Sequence, residues 1–181
     1  MKKLILLSAK ATEGKTAFAE SLKRQLEQKG RKVCIMRYAS SIKRILTEYY
    51  GWNGEKTEYW RVRLQQLGTD VIRNKMNMPN FHINRIIEDI QIVQDDFDYI
   101  ILDDSRFLNK MEIPLQMFDY KVATVRIHRN NYISPLTPEQ QNHPSETSLD
   151  DYQFQYEFWI DSGLEYIDNA AKAFVEEVLG E

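Results

Sequence analysis

The chain has 181 residues, 43% of them apolar and 28% charged, with a formal net charge of −3. At that length one compact unit can bury about 70% of its extended-chain surface, and the composition excludes a disordered, collagenous or solenoid chain. The single cysteine, Cys34, excludes an internal disulfide or a cysteine-rich zinc site and reads as a small core residue, while the net charge supplies no global field towards nucleic acid or an anionic membrane.

Taken in chain order, Met1-Lys2-Lys3 before Leu4–Leu7 has the outline of a signal peptide. The apolar run is shorter than the roughly 7–15 residues of a signal core, and no stretch approaches the ~20 apolar residues of a membrane span. The expectation is a soluble cytoplasmic protein with no membrane or nucleic-acid partner. Leu4–Leu7 reads instead as a strand buried on both faces of a parallel sheet. After the polar turn Ser8–Gly14, Phe18, Leu22 and Leu26 recur every four residues, predicting a helix over Lys15–Lys29 closed by Gly30. Val33–Met36 is a second strand. Ser40 or Ser41 would cap a helix carrying Ile42, Ile45, Leu46 and Tyr49. Gly51–Gly54 is a turn, and Thr57 opens a long helical pattern to about Met76, broken by Asn77–Asn80. Ile83, Ile86, Ile87 and Ile90 mark a further helix ending near Asp95. Phe97–Leu102 and Val122–Ile127 are strands. The segment from Asn130 to about Asp150 contains three prolines and no Lys or Arg, and reads as a mobile loop. Leu164–Ile167 is expected as a short last strand and Ala170–Leu179 as a terminal helix.

Strands alternating with helices predict βαβ units, a parallel sheet flanked by helices, and ligands beyond the carboxyl ends of the strands. The residues after each strand therefore carry the functional question. Behind the first strand stands Ala9-Lys10-Ala11-Thr12-Glu13-Gly14-Lys15-Thr16, a G-x-x-x-x-G-K-[ST] phosphate loop with alanine in the first glycine position. In such a loop backbone N–H groups and the helix dipole converge on phosphate oxygens. Lys15 would reach the β- and γ-phosphates, and the Thr16 hydroxyl would ligate Mg²⁺. Ala11, Thr12, Glu13, Gly14, Lys15, Thr16 and Ala17 form the expected ATP-binding set. Thr12 and Glu13 are unusual there, because a left-handed backbone costs a non-glycine residue about 1–2 kcal/mol. Glu13 also brings a negative charge near the phosphates unless it points away.

The third strand runs into Asp103-Asp104-Ser105-Arg106. Either aspartate can hold the metal through its water shell, and Arg106 can fork onto an anionic substrate. Arg61, Gln65, Thr69 and Arg73 recur at intervals of four, a slowly drifting polar stripe. It suits either a solvated face or a cleft for a base and a phosphate, and Lys43 shares that ambiguity. Arg129, where a strand gives way to the polar segment, would fold over the γ-phosphate in the transition state. His128 and His143 lack metal-ligand spacing, and no zinc is assigned.

Together these motifs resemble the deoxynucleoside monophosphate kinase family of P-loop kinases, nearly end to end. Tyr38-Ala39-Ser40-Ser41-Ile42-Lys43 is similar to that family's Phe-Ala-Asp-x-Leu-Lys segment, and Arg61–Arg73 to its R-x-x-L-Q-x-x-G-T-x-x-x-R block. Asp104–Asn109 is similar to its D-x-R-F-x-N element, His143–Glu146 to its H-x-S-E lid, and Tyr166–Asn169 to its closing strand and Asn turn. Ala9, Thr12, Ser40 and Lys110 depart from the family pattern. The resemblance implies an α/β protein of three α/β/α layers. It would have the P-loop NTPase fold on a five-stranded parallel sheet, as a single kinase domain over 1–181. A substrate-binding helical insert would span about 38–95 and a lid about 129–150. It further implies ATP- and Mg²⁺-dependent transfer to a nucleoside 5′-monophosphate. Lys15, Arg106 and Arg129 would be catalytic, and Thr16, Asp103 and Asp104 would serve the metal. Tyr38, Lys43, Arg61, Gln65, Thr69, Arg73, Asp104, Arg106 and Glu146 would hold the acceptor, and a homodimer is the assembly considered. The rivals are another small-molecule kinase on this scaffold and a nucleotide-binding regulatory module without catalysis. A DNA-processing ATPase subunit would need a basic stripe that the chain lacks.

Overall fold

A computed structural model describes residues 3–55, 57–118 and 121–181; the Met1-Lys2 start discussed above lies outside them. Five strands form one parallel sheet: β1 (Lys3–Ser8), β2 (Val33–Met36), β3 (Tyr99–Leu102), β4 (Lys121–Arg129) and β5 (Tyr156–Ile160). Their order is β2-β3-β1-β4-β5. In register, Leu6 pairs with Leu102 of β3 and with Thr124 of β4.

The apolar run of β1 is used on both faces. Ile5 and Leu7 pack into a core with Phe18, Leu22 and Leu26 of α1 (Lys15–Gln28) and with Ala171 of α8 (Leu164–Ala173). Leu4 and Leu6, which alternate with them and point the other way, are equally buried. Burying side chains of this size contributes about 1.5–3 kcal/mol each, so the strand that precedes the phosphate loop is firmly anchored in the sheet. At its other end α1 closes as its sequence predicts. Gly30 is left-handed (φ +78°), and Arg31 N–H returns to the Leu26 carbonyl at 3.1 Å.

The chain divides into two units, Met1–Met36 with Ile92–Glu181, and Arg37–Gln91. The first contains the sheet, α1, α5 (Leu108–Met117), two one-turn helices α6 (Pro138–Gln141) and α7 (Pro144–Thr147), and α8 with a π-helical continuation Phe174–Leu179. The second contains α2 (Ser40–Tyr50), α3 (Glu58–Gln65), a π-helical continuation Gln66–Lys75 and most of α4 (Phe81–Val93). Its own core is Ile42, Leu46, Trp52 and Ile72.

Three expectations need correction. Leu164–Ile167 is not a strand: it opens α8, with Glu165 in the first turn, where an acid suits the helix dipole. The closing strand is Tyr156–Ile160, where aromatic and β-branched residues favour an extended backbone. Ser40 and Ser41 do not cap α2: Ala39 holds the cap position, and the Ser41 hydroxyl pairs with His82 Nδ1 at 3.0 Å. The 130–150 segment is structured. Thr137 forms a full capping box with Gln140, and Leu149 is buried. Among the described residues no helix is long and apolar enough to cross a membrane.

Candidate active site

Between Ser8 and Lys15 the chain must turn back from strand to helix, and its left-handed positions are Thr12 (φ +65°) and Gly14 (φ +96°). The strain at Thr12, about 1–2 kcal/mol for a non-glycine residue, is opposed by two hydrogen bonds. Thr12 Oγ1 donates to the Ala11 carbonyl at 2.5 Å, and the same hydroxyl meets Tyr132 Oη. At Gly14 a side chain would add crowding to strain, since a Cβ there would stand 3.2 Å from Ile167 Cδ1. Glu13 keeps an ordinary negative φ and turns its carboxylate onto the loop's own Lys10 N–H at 2.9 Å.

β1 and β3 are neighbours, yet the chain leaves them in opposite directions across the sheet, β1 towards β2 and β3 towards β4. That is the switch point where ligands of open parallel sheets bind. Lys15 Nζ spans it, donating to the Asp103 carbonyl at the end of β3. Asp103 is 1% exposed and Asp104 half-buried. Ser105 N–H donates back to Leu7 at 3.2 Å, while its fully buried hydroxyl has no hydrogen-bond partner among the described residues.

Arg106 pairs with Glu146, which is 7% exposed and whose second oxygen accepts the Ala11 N–H at 2.7 Å. Asp150 receives Lys10 at 3.0 Å and Arg126 at 3.3 Å; Arg126 is 5% exposed and also donates to Ser8 Oγ at 3.0 Å. α7 carries Glu146 into place, its cap built by His143, whose Nδ1 accepts Ser145 N–H at 3.2 Å before Pro144 fixes the first turn. An acidic strap thus lies across the phosphate loop, one carboxylate on a loop amide and one on a loop lysine. Arg129 lies with its guanidinium 5.1 Å from the Tyr132 ring centre, so in this structure it meets the loop through Tyr132.

These donors fit an oxyanion. The Ala11 N–H and the Arg106 guanidinium already grip a carboxylate, and phosphoryl oxygens take the same donors. For a cation the fit is of another kind: among the described residues no group of three or more His, Cys, Asp or Glu side chains could hold a metal. Mg²⁺ needs no such cage, being held by one or two carboxylates with phosphate oxygens and water. Thr16 stands in the first turn of α1, and Asp103 and Asp104 follow β3, a hydroxyl and two carboxylates of the donor types such a site uses.

In the second unit Tyr38 is 1% exposed and belongs to the interior rather than to an open surface. Lys43 is half-buried on α2, and Arg61 is paired with Glu58. The Arg61-Gln65-Thr69-Arg73 stripe runs from α3 into the π-helical stretch Gln66–Lys75. Four residues overshoot an α turn of about 3.6, but they fall short of a π turn, whose backbone bonds span five residues. The π stretch starts at Gln66, and Met76 N–H to the Val71 carbonyl at 2.8 Å is one such five-residue bond.

Lys10, Asp150 and Tyr132 were not legible as site residues. The excess of acid in 130–150 is visible in the sequence, whereas its partners stand about 140 residues away on the phosphate loop.

No protein-family model matches the chain, and no curated protein matches it in sequence. Solved structures do. A cysteine-to-alanine mutant of the Mycobacterium tuberculosis APS kinase CysC is similar with a TM-score of 0.55 at 11% identity, covering 99% of this chain and 98% of that one. The same kinase in complex with AMPPNP and APS gives 0.50 at 12% identity over 99% and 98%. A sugar kinase from Janibacter sp. HTCC2649 gives 0.50 at 11% over 99% and 97%. At such identities the likeness carries the fold alone: this chain has the P-loop NTPase fold.

Proposed function

We propose that the protein is an ATP- and Mg²⁺-dependent phosphotransferase whose acceptor is a nucleoside or deoxynucleoside 5′-monophosphate. The observation that carries this reading is the seat of Glu146. A carboxylate rests between a phosphate-loop amide and the arginine that follows the neighbouring strand, the place where a transferring phosphoryl group would need donors from both sides.

In this reading the amides from Ala11 to Ala17 and the Lys15 ammonium receive the triphosphate. Thr16, with Asp103 or Asp104 acting through water, holds Mg²⁺, which when bound neutralises phosphate charge. Arg106 takes the incoming anion, and Arg129 lies close enough in sequence to the strap to add charge. The arginines of the second unit's stripe, with Gln65 and Thr69, are assigned to the acceptor. A monophosphate oxygen is already anionic, so no general base is needed. It bonds to the γ-phosphorus as the bond to the bridging oxygen breaks, and ADP leaves. Position and charge are what the protein supplies.

The test is transfer of label from γ-labelled ATP to each ribonucleoside and deoxyribonucleoside monophosphate in turn. Labelled diphosphate from at least one of them is expected. Transfer only to sugars or other hydroxyl acceptors would leave a phosphotransferase with a different substrate, and nucleotide binding without transfer to any acceptor would leave a binding module.

A further inference from the structure

The second unit contains a cavity of about 510 Å³ whose lining includes Trp52, Trp60, Leu64, Lys43, Arg61 and Glu55, a volume within the range that holds small ligands. The turn before α3 is tied down at several points. Gly51 ends α2 in a left-handed conformation, and Trp52 N–H returns to the Leu46 carbonyl at 3.1 Å. The Trp52 indole N–H donates to the Glu55 carbonyl at 2.8 Å, and Asn53 Oδ1 accepts the Glu55 N–H at 3.0 Å. Thr57 then caps α3. Trp52 belongs to the unit's core, whereas Trp60 is half-buried, with its ring centre 6.2 Å from that of Trp52 at a 43° tilt.

We infer that this cavity takes the flat heteroaromatic base of the acceptor nucleotide, with Trp60 as its stacking surface. The inference rests on the reading that the acceptor is a nucleoside monophosphate, and it names residues the polar stripe does not contain. The wall chemistry selects the ligand. Indole faces and Leu64 favour a flat apolar ring over a sugar, while Glu55 and Glu58 line the same cavity and carry carboxylates of the kind that accept from ring N–H groups, Glu58 sharing its own with Arg61. Arg61 belongs both to this cavity and to the first position of the polar stripe. A base in the cavity would thereby lie beside one cation of that stripe, Arg61, which Glu58 holds in an ion pair. Tyr38, buried in the interior, is replaced by Trp60 as the aromatic partner.

The experiment titrates the full-length protein with deoxynucleoside monophosphates and, as the probe lacking a base, with deoxyribose 5-phosphate. The chain has three tryptophans, so in a Trp159→Phe background the emission comes from Trp52 and Trp60. It is expected to be quenched by the nucleotides and not by deoxyribose 5-phosphate. Trp60→Leu should raise the nucleotide Kd about tenfold, the scale of one lost base–aromatic stack. Trp60→Phe should restore most of it, and deoxyribose 5-phosphate should bind all three proteins alike. Thermal melting checks that each variant is folded, and the quenching of the Trp159→Phe protein stands whether or not Trp60→Leu folds. Equal nucleotide affinity in Trp60→Leu, an equal loss for deoxyribose 5-phosphate, or no quenching overturns the assignment. Quenching without phosphoryl transfer keeps it and rejects the kinase reading; transfer to nucleotides with a KM indifferent to Trp60 does the reverse.

Discussion

Glu146 places one carboxylate oxygen 2.7 Å from the Ala11 amide and the other against Arg106, so a phosphoryl oxygen arriving at either donor displaces a charged partner. Hydrogen bonds to charged groups contribute about 1.5–3 kcal/mol, enough to matter to nucleotide affinity. Glu146→Gln keeps the shape and removes the charge, and is expected to tighten ATP binding about tenfold by calorimetry, since roughly 1.4 kcal/mol corresponds to that factor. Unchanged or weaker binding would mean that Glu146 supports the loop rather than competing for it. Cys34 gives a quieter expectation. Burial pushes its thiol pKa up, so at neutral pH the thiolate is scarce and the group inert. Iodoacetamide labelling followed by mass spectrometry should be much slower in the native protein than in denaturant; equal rates would contradict a packed thiol. Lys15 and Arg106 could be singled out in the sequence because each stands at a fixed offset from the end of a strand. The partners of Glu146 and Asp150 could not, because sequence offsets do not reveal contacts between segments so far apart.

Among the elements, α1 and α8 are clasped by Asp168, which accepts Ser21 Oγ at 2.6 Å and Arg24 at 2.6 Å. The Ser21 hydrogen bond first, and then Arg24, hold its carboxyl below the usual aspartate range. A depressed folded-state pKa stabilises the protein above the unfolded value and loses that contribution as pH falls through the folded one. Asp168→Asn should therefore lower Tm at pH 7, and the difference from wild type should shrink below about pH 3.9. A difference unchanged at pH 3 would show that charge plays no part. Gly68, in the π-helical continuation, lies where a Cβ would stand 2.8 Å from Ile42 Cδ1. Alanine gains about 1 kcal/mol in helix propensity, but overpacking loses about 1–3 kcal/mol, so Gly68→Ala is expected to be destabilising. Adding Ile42→Val, which removes that methyl, should recover part of the loss in chemical denaturation; no recovery would place the strain elsewhere. Helical periodicity revealed α1, α2 and α4. It could not reveal the π stretch, because the stripe repeat of four lies between the two helix periods. β5 was hidden beside an acidic, proline-bearing segment, and α5 contains Pro114, an ordinary helix breaker.

For the whole molecule, alternating strands and helices made the parallel sheet legible, while strand order was not, since nothing in the chain states which strands become neighbours. That order matters most: it sets the end of β1 beside the end of β3 and brings Lys15 to Asp103. The second unit, Arg37–Gln91, has its own core and its own cavity, and the proposed reading assigns the acceptor to it and the triphosphate to the first. Every step of the proposed transfer presupposes that the loop after β1 binds ATP through Lys15. Calorimetric titration of ATP with Mg²⁺ into the wild-type protein and into Lys15→Ala tests this most directly. Saturable one-site binding by the wild type, weakened at least about tenfold in the variant as befits a lost charged donor, is the expected result. No binding by the wild type, or equal binding by both, would contradict it.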